Sequence, residues 1–358
     1  MFLVNRANLD DATTWASSIF SGINFLMNSR FVNSVSNAIN NISAHYDISN
    51  DMFASFLSKD MTYSCAIFES KDEPLEIAQY RKLDRVIRQA RIQPEDHVLE
   101  IGSGWGSFAI RAVQKTGCRV TTLTLSIEQK VLAEERVRAA SLQDRISVVL
   151  CDYRKHVPAR PYDKVVSIEM IEAVGREFLE TYFAKVDECL KKEGGIAVFQ
   201  VITMPETRYE RYCKEVDFIR KWVYSYMILL IQIFPGGHCP TVSGLVSAIN
   251  AGSRGTMIVD RIDNIGGHYA ITLRLWREQF MANFDTEILP ALRKRAKVEG
   301  KQLNEDDALI FKRKWEVFVL ISWLTIVLLR VLRGGILDQD VGRRDCYGWK
   351  REYRGIIG

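Results

Sequence analysis

VLEIGSGWGSF, residues 98–108, is an apolar run that breaks into glycine at three alternate positions, Gly102, Gly104 and Gly106. It reads as a buried strand leaving through a tight loop into a helix. Such a loop turns backbone N–H groups and a helix N-terminus toward whatever lies beyond the strand's C-terminal end. A nucleotide is the default ligand there. The dinucleotide fingerprint GxGxxG would need glycine at position 107, where the chain has Ser107. Glu100, just before the loop, would repel a pyrophosphate but accept hydrogen bonds from an ammonium group. Together these features favour a zwitterionic, phosphate-free nucleoside, S-adenosylmethionine (SAM), held by Glu100, Gly102, Gly104, Trp105 and Gly106. A glycine turn used only for close strand-to-helix packing would look the same locally.

Working outward, apolar runs with strand character recur at 97–101, 119–124, 146–150, 164–169 and 196–202, with a sixth candidate at 257–261. Helical stretches fall between them at 75–91, 106–115, 126–140 and 177–191, the last stopped by Gly194 and Gly195. This alternation predicts an α/β fold, a doubly wound, mostly parallel Rossmann-like sheet. Residues 1–74 read as a helical N-terminal cap, 75–316 as the main domain and 317–358 as an atypical tail. Beyond the second strand, Thr124, Ser126 and Gln129 offer hydroxyl and amide groups to a ribose. Asp152, after the third strand, is an acceptor for an adenine amine. Each of these is also expected at a strand end by chance.

The chain's 358 residues, 47% hydrophobic, suffice for one large core or two smaller ones. The formal charge of +4 is modest and spread out, so no nucleic-acid partner is expected, although a slightly basic surface suits an anionic membrane face. Seven cysteines form no CxxC pair, and the first residues lack the basic and apolar regions of a signal peptide. The expectation is a cytoplasmic protein, peripheral on membranes. Five scattered histidines make no metal-ligand spacing, so no metal is expected.

Seven ordered motifs are similar to those of the cyclopropane fatty acid synthase family of SAM-dependent methyltransferases. They are HYDISNDMF (45–53), MTYSCAIF (61–68), VLEIGSGWGSF, TLSIEQ (124–129), SIEMIEAVG (167–175), FPGGHCP (234–240) and HYAITLRLW (268–276). The resemblance covers roughly residues 40 to 316. It implies a class I SAM methyltransferase fold and transfer of a methylene from SAM to a cis double bond of a phospholipid acyl chain at a membrane surface. A homodimer is compatible with it. It also implies a bicarbonate ion as the base, cradled by Cys65, Glu172, Tyr269 and the backbone near Ile202. Tyr63 and Ser64, in the cap, would touch the cofactor. Gln200 stands where many members have histidine, and EAVG where they have EHVG; these departures mark a subfamily. Taken alone, Cys65 would read as an inert buried thiol and Tyr269 as a core residue. Three classes stay open: the lipid cyclopropane synthase, a SAM methyltransferase that branches a lipid or methylates a small amine, and a non-catalytic SAM-fold protein.

Two apolar stretches depart from the family, VYSYMILLIQ (223–232) and VFVLISWLTIVLLRVL (317–332). Both are shorter than the ~20 residues a spanning helix needs. Each begins with valine, whose codons start GT, and the first ends on glutamine, whose codon can be CAG. They read as intron-derived sequence, with a buried helix or an interfacial membrane anchor as the alternatives if they are genuine. Cys346, in the tail, lies in the wrong context to replace the family's C-terminal cysteine.

Overall fold

The computed structural model describes residues 50–214, 237–298, 300 and 303–316. Residues 1–49 of the expected cap, the stretch 223–232 and the tail 317–358 lie outside the described residues.

The described chain begins with α1 (Asn50–Phe56) and, after an irregular segment, α2 (Leu75–Gln89). Then β1 (His97–Ile101), α3 (Ser107–Thr116), β2 (Arg119–Thr124), α4 (Ile127–Ala139), β3 (Ile146–Leu150), β4 (Lys164–Ile168), α5 (Leu179–Cys189) and β5 (Ile196–Gln200) alternate. The helices α6 (Glu206–Lys214), α7 (Val242–Gly252), α8 (Tyr269–Asn283) and α9 (Leu289–Val298) follow, and residues 305–316 are also helical.

All five strands are parallel, in the order β3-β2-β1-β4-β5. The order reverses between β1 and β4, and the crevice at the C-terminal ends of these two strands is where such a sheet binds its ligand. Apolar runs such as HVLEI and KVVSI suit strands covered on both faces, and Val98, Leu99, Val165 and Val166 are almost fully buried. The five strands expected between 97 and 202 are present within two residues of their limits. The sixth, 257–261, is not a strand: the segment is irregular, with Ile258 and Val259 exposed. A run of three apolar residues, Met257-Ile258-Val259, that buries no face stays a loop.

The cap does not stand apart. Met52, Phe53, Phe56, Leu57 and Met61 share one core cluster with Trp105 of the glycine loop and with Trp276, Phe280, Phe284 and Trp315 from the C-terminal helices. Phe53 meets Trp105 at 5.0 Å between ring centroids, and the Trp105 indole N–H donates to Asn50 Oδ1 at 2.7 Å. Aromatic burial on this scale stabilises strongly, each large ring contributing on the order of 2–3 kcal/mol. It therefore clamps the cap onto the loop that leaves β1.

Candidate active site

The loop after β1 is fastened to the neighbouring strand: the N–H groups of Gly102 and Ser103 both donate to the Leu123 carbonyl, at 3.0 and 2.9 Å. Gly102, Gly104 and Gly106 have φ of +98°, +48° and +86°, the left-handed region that glycine enters without steric cost. A Cβ built on Gly102 would lie 3.1 Å from the Met170 side chain, whereas one on Gly104 would meet no atom within 4 Å. Gly104 thus borders open space. That space is a cavity at the switch point, lined by Tyr63, Ser64, Lys82, Glu100, Gly102, Gly104, Trp105, Thr124, Gln129, Glu169 and Glu172, among others.

Glu100 is buried, and its Oε2 has no hydrogen-bond partner among the described residues. Buried carboxylate oxygens are rarely left so, and the orphan calls for a ligand donor. Burial pushes the Glu100 pKa up to about 8. An ammonium at this oxygen would favour ionisation, so the residues present fit SAM. SAM binding should then release a proton below pH 8. Its Kd is expected to fall by up to about tenfold per unit as pH rises toward 8 and to level off above it. Titration calorimetry in buffers of different ionisation enthalpy checks this, and Glu100→Gln should flatten the profile.

The remaining cofactor candidates are placed unequally. Thr124 Oγ1 donates to Gln129 Oε1 at 2.8 Å, leaving the amide NH2 as the end that can reach a ribose hydroxyl. Ser126 caps α4, accepting from the Gln129 N–H at 3.2 Å, and is not among the lining residues. Gly106 is also absent from the lining and forms the turn into α3. Asp152 gives both oxygens to Arg154, at 2.9 and 3.0 Å on Oδ1 and 2.6 Å on Oδ2. Its neighbours Cys151 and Tyr153 line the cavity in its place.

On the far side of the cavity, three polar groups from distant parts of the chain converge on Glu169, the first residue after β4. The Cys65 N–H donates to Oε1 at 2.9 Å, Gln200 Nε2 to the same oxygen at 2.8 Å, and the Tyr269 hydroxyl to Oε2 at 3.1 Å. Gln200 also donates to the Cys65 carbonyl at 3.2 Å. The Cys65 thiol points elsewhere, donating to Ala66 O at 3.4 Å, and burial holds its pKa well above the ordinary thiol value. Cys65 therefore acts through its backbone. Burial likewise raises Tyr269, which keeps the phenol protonated as a donor.

Glu172 accepts from the Ile202 N–H through Oε1, while Oε2 is buried with no partner among the described residues. Burial first, and the charge of Glu169 second, push Glu172 up to about 8. Its carbonyl accepts from the His238 N–H at 2.8 Å, tying the loop after β4 to the chain ahead of α7. The Tyr63 and Tyr269 rings both lie against Trp276, at 5.0 and 6.2 Å. The chamber thus joins two carboxylates to the Tyr63 ring, with Trp276 and Tyr269 packed behind it, a combination that stabilises a transient cation.

Of the groups expected on one anion, Cys65 and Tyr269 do come together, but with Gln200 around Glu169, which sequence reading passed over as a strand end, while the Ile202 N–H goes to Glu172. Lys82 was missed as well. It is fully buried, donates from Nζ to Ser64 Oγ at 2.6 Å, and has its pKa lowered by burial to about 8. Its signal was there to read: with Ala78, Leu83 and Val86 it falls on the apolar stripe of α2, where a lysine needs an anionic neighbour.

Similarity to known proteins links the chain to one family. The family model for mycolic acid cyclopropane synthetase matches residues 33–298. A tuberculostearic acid methyltransferase of Mycobacterium tuberculosis is 40% identical over 289 residues, which is 79% of this chain and 60% of the relative. The cyclopropane-fatty-acyl-phospholipid synthase of Escherichia coli is 33% identical over 238 residues, 66% of this chain and 56% of the relative. The chain therefore spans less than two thirds of the length of either. Among solved structures, mycolic acid cyclopropane synthase CmaA1 with SAH and CTAB aligns with a TM-score of 0.65 and 26% identity, covering 79% of this chain and 93% of that one.

Proposed function

This chain belongs to the mycolic acid cyclopropane synthetase family, and from that membership and the chamber beside the glycine loop we propose that it is a SAM-dependent methyltransferase acting on a cis double bond of a phospholipid acyl chain. The observation that carries this reading is the pairing of Glu169 and Glu172 with the Tyr63, Tyr269 and Trp276 rings at the end of the crevice that the glycine loop lines. Bound SAM supplies an electrophilic methyl group. An isolated alkene is a weak nucleophile, so the protein must hold it in line, exclude water and offset the positive charge that forms on carbon.

Glu100 and the 102–106 loop hold the cofactor, with Gln129 directed at the ribose. Glu172, through its unpartnered Oε2, faces the developing charge. The aromatic rings shield it from water. The bicarbonate implied by family resemblance does not fit beside these groups, because the donors expected to cradle it are already engaged: the Cys65 N–H and Tyr269 hydroxyl by Glu169, and the Ile202 N–H by Glu172. No step is routed through that ion.

Ring closure to a cyclopropane is the first reading. A methyl-branched product is the second, and the 40% identical relative named as a tuberculostearic acid methyltransferase favours it. The acyl chain would be met at a membrane face by a peripheral, cytoplasmic enzyme; no helix among the described residues is long and apolar enough to cross a membrane. The test is incubation of the purified chain with SAM and vesicles of cis-unsaturated phospholipid, followed by mass spectrometry of the released fatty esters. A product heavier by one methylene that no longer forms a dimethyl disulfide adduct is the cyclopropane. One that still forms the adduct is the branched alkene. Methylation of a small amine with no lipid product would refute both.

A further inference from the structure

We propose that Glu169 is a built-in replacement for a bound anion: its carboxylate fills the cradle made by Cys65, Gln200 and Tyr269 and accepts the proton released when the alkene is methylated. The inference rests on the methyl-transfer reading above and goes beyond it by assigning the base. Its first support is the convergence of donors. A carboxylate that receives an N–H, an amide and a phenol hydroxyl is held as an acceptor at each contact.

The second support is the backbone. Glu169 has φ of +49°, the left-handed conformation that costs an L-residue roughly 1–2 kcal/mol and glycine almost nothing. The conformation is fixed by the Glu169 N–H, which donates to the Gln200 carbonyl at 2.8 Å and so continues the β4–β5 ladder. Arg91, Ser141 and Arg254 take positive φ in turns, whereas Glu169 takes it at the cavity with its carboxylate inside the cradle, where such strain accompanies function. The third support is charge. A free anion entering here would compete for the same donors next to both Glu169 and Glu172, and like charges at hydrogen-bonding range disfavour one another strongly. Burial raises the Glu169 pKa, which suits a proton acceptor, while the three donors and the charge of buried Lys82 pull against that rise.

In the reaction, the π pair of the alkene forms the bond to the methyl carbon as the carbon–sulfur bond breaks and its electrons pass to sulfur. The resulting cation loses a proton from the added methyl group to a Glu169 carboxylate oxygen. The electron pair left behind closes the ring or forms an exocyclic double bond, and the proton passes on to water.

The experiment compares wild type, Glu169→Gly and Glu169→Gln in carbon dioxide-free buffer, with and without bicarbonate or formate. Wild-type turnover is expected to be indifferent to either ion. Glu169→Gly, which suits the local backbone, should retain SAM binding and lose turnover by about a hundredfold or more, and added bicarbonate or formate should restore at least about a tenth of it. Glu169→Gln should be equally impaired but beyond rescue, because its amide still fills the space. Titration of 13C-bicarbonate into the SAH complexes gives a readout independent of the lipid: saturable binding to Glu169→Gly and none to wild type. Bicarbonate binding to wild type, stimulation of wild type by bicarbonate, or an unimpaired Glu169→Gly in carbon dioxide-free buffer would each overturn the proposal. A wild type without lipid product refutes the substrate reading instead, while the bicarbonate titration still decides whether Glu169 occupies the anion's place.

Discussion

Gly104→Val is expected to weaken SAM binding by at least about a hundredfold, a loss of roughly 2.7 kcal/mol, in a protein that still folds. A new Cβ at this position meets no protein atom within 4 Å, so the side chain does not clash with its own fold. What it meets is the cavity where the cofactor must approach the backbone. Valine also pays for φ of +48°, about 1–2 kcal/mol of strain that lowers the melting temperature without abolishing the core. Gly104→Ala carries a similar backbone cost with less bulk and should weaken binding less. Calorimetric titration alongside thermal melts checks the pair. Undiminished affinity in folded Gly104→Val would contradict the assignment of the loop.

Glu172→Gln is expected to lower turnover by about a hundredfold while changing SAM affinity by only a few-fold. Above pH 8, where Glu172 is ionised, the amide can replace neither its negative charge nor the open acceptor at Oε2, so the loss of turnover should be largest there. Stability should move the other way. Burial and Glu169 raise Glu172 to about 8 in the folded protein, whereas the unfolded chain titrates near the ordinary value of about 4.3. The native state therefore binds this proton more tightly. The stability it contributes is full below the unfolded pKa and is lost as pH rises through 8. Glutamine has no such loss, so the variant should melt higher than wild type at pH 9 and close to it at pH 4. Equal turnover would make Glu172 structural, and a lower melting point at pH 9 would contradict the burial argument.

Much of the architecture could be read from the sequence because parallel strands covered on both faces leave short apolar runs that few other structures produce. The 98–108 stretch alone located the crevice, since a strand ending in left-handed glycines has few alternatives. The reading failed at 257–261, where the short apolar run Met257-Ile258-Val259 imitates a strand but lies in an irregular, largely exposed segment. At the site, Cys65, Gln200 and Tyr269 were legible through motif resemblance, but the group they surround was not. Glu169 closes an apolar run, and only the register that sets β4 beside β5, with the cap folded across both, brings its carboxylate to residues more than thirty and a hundred positions away. Asp152 shows the converse. Its position after β3 made it a plausible adenine acceptor, and the neighbouring Arg154 that engages it lies two residues on, where nothing in the local pattern sets the arginine's direction.

The most direct test of the account follows the transferred carbon. Purified enzyme is given trideuteromethyl SAM and a phospholipid with one cis double bond, and the acyl product is weighed. The account predicts an acyl chain that has gained the cofactor's carbon with two of its three deuterons, the third having passed through a carboxylate to water. An acyl chain that carries all three deuterons, or none of the label, would contradict it.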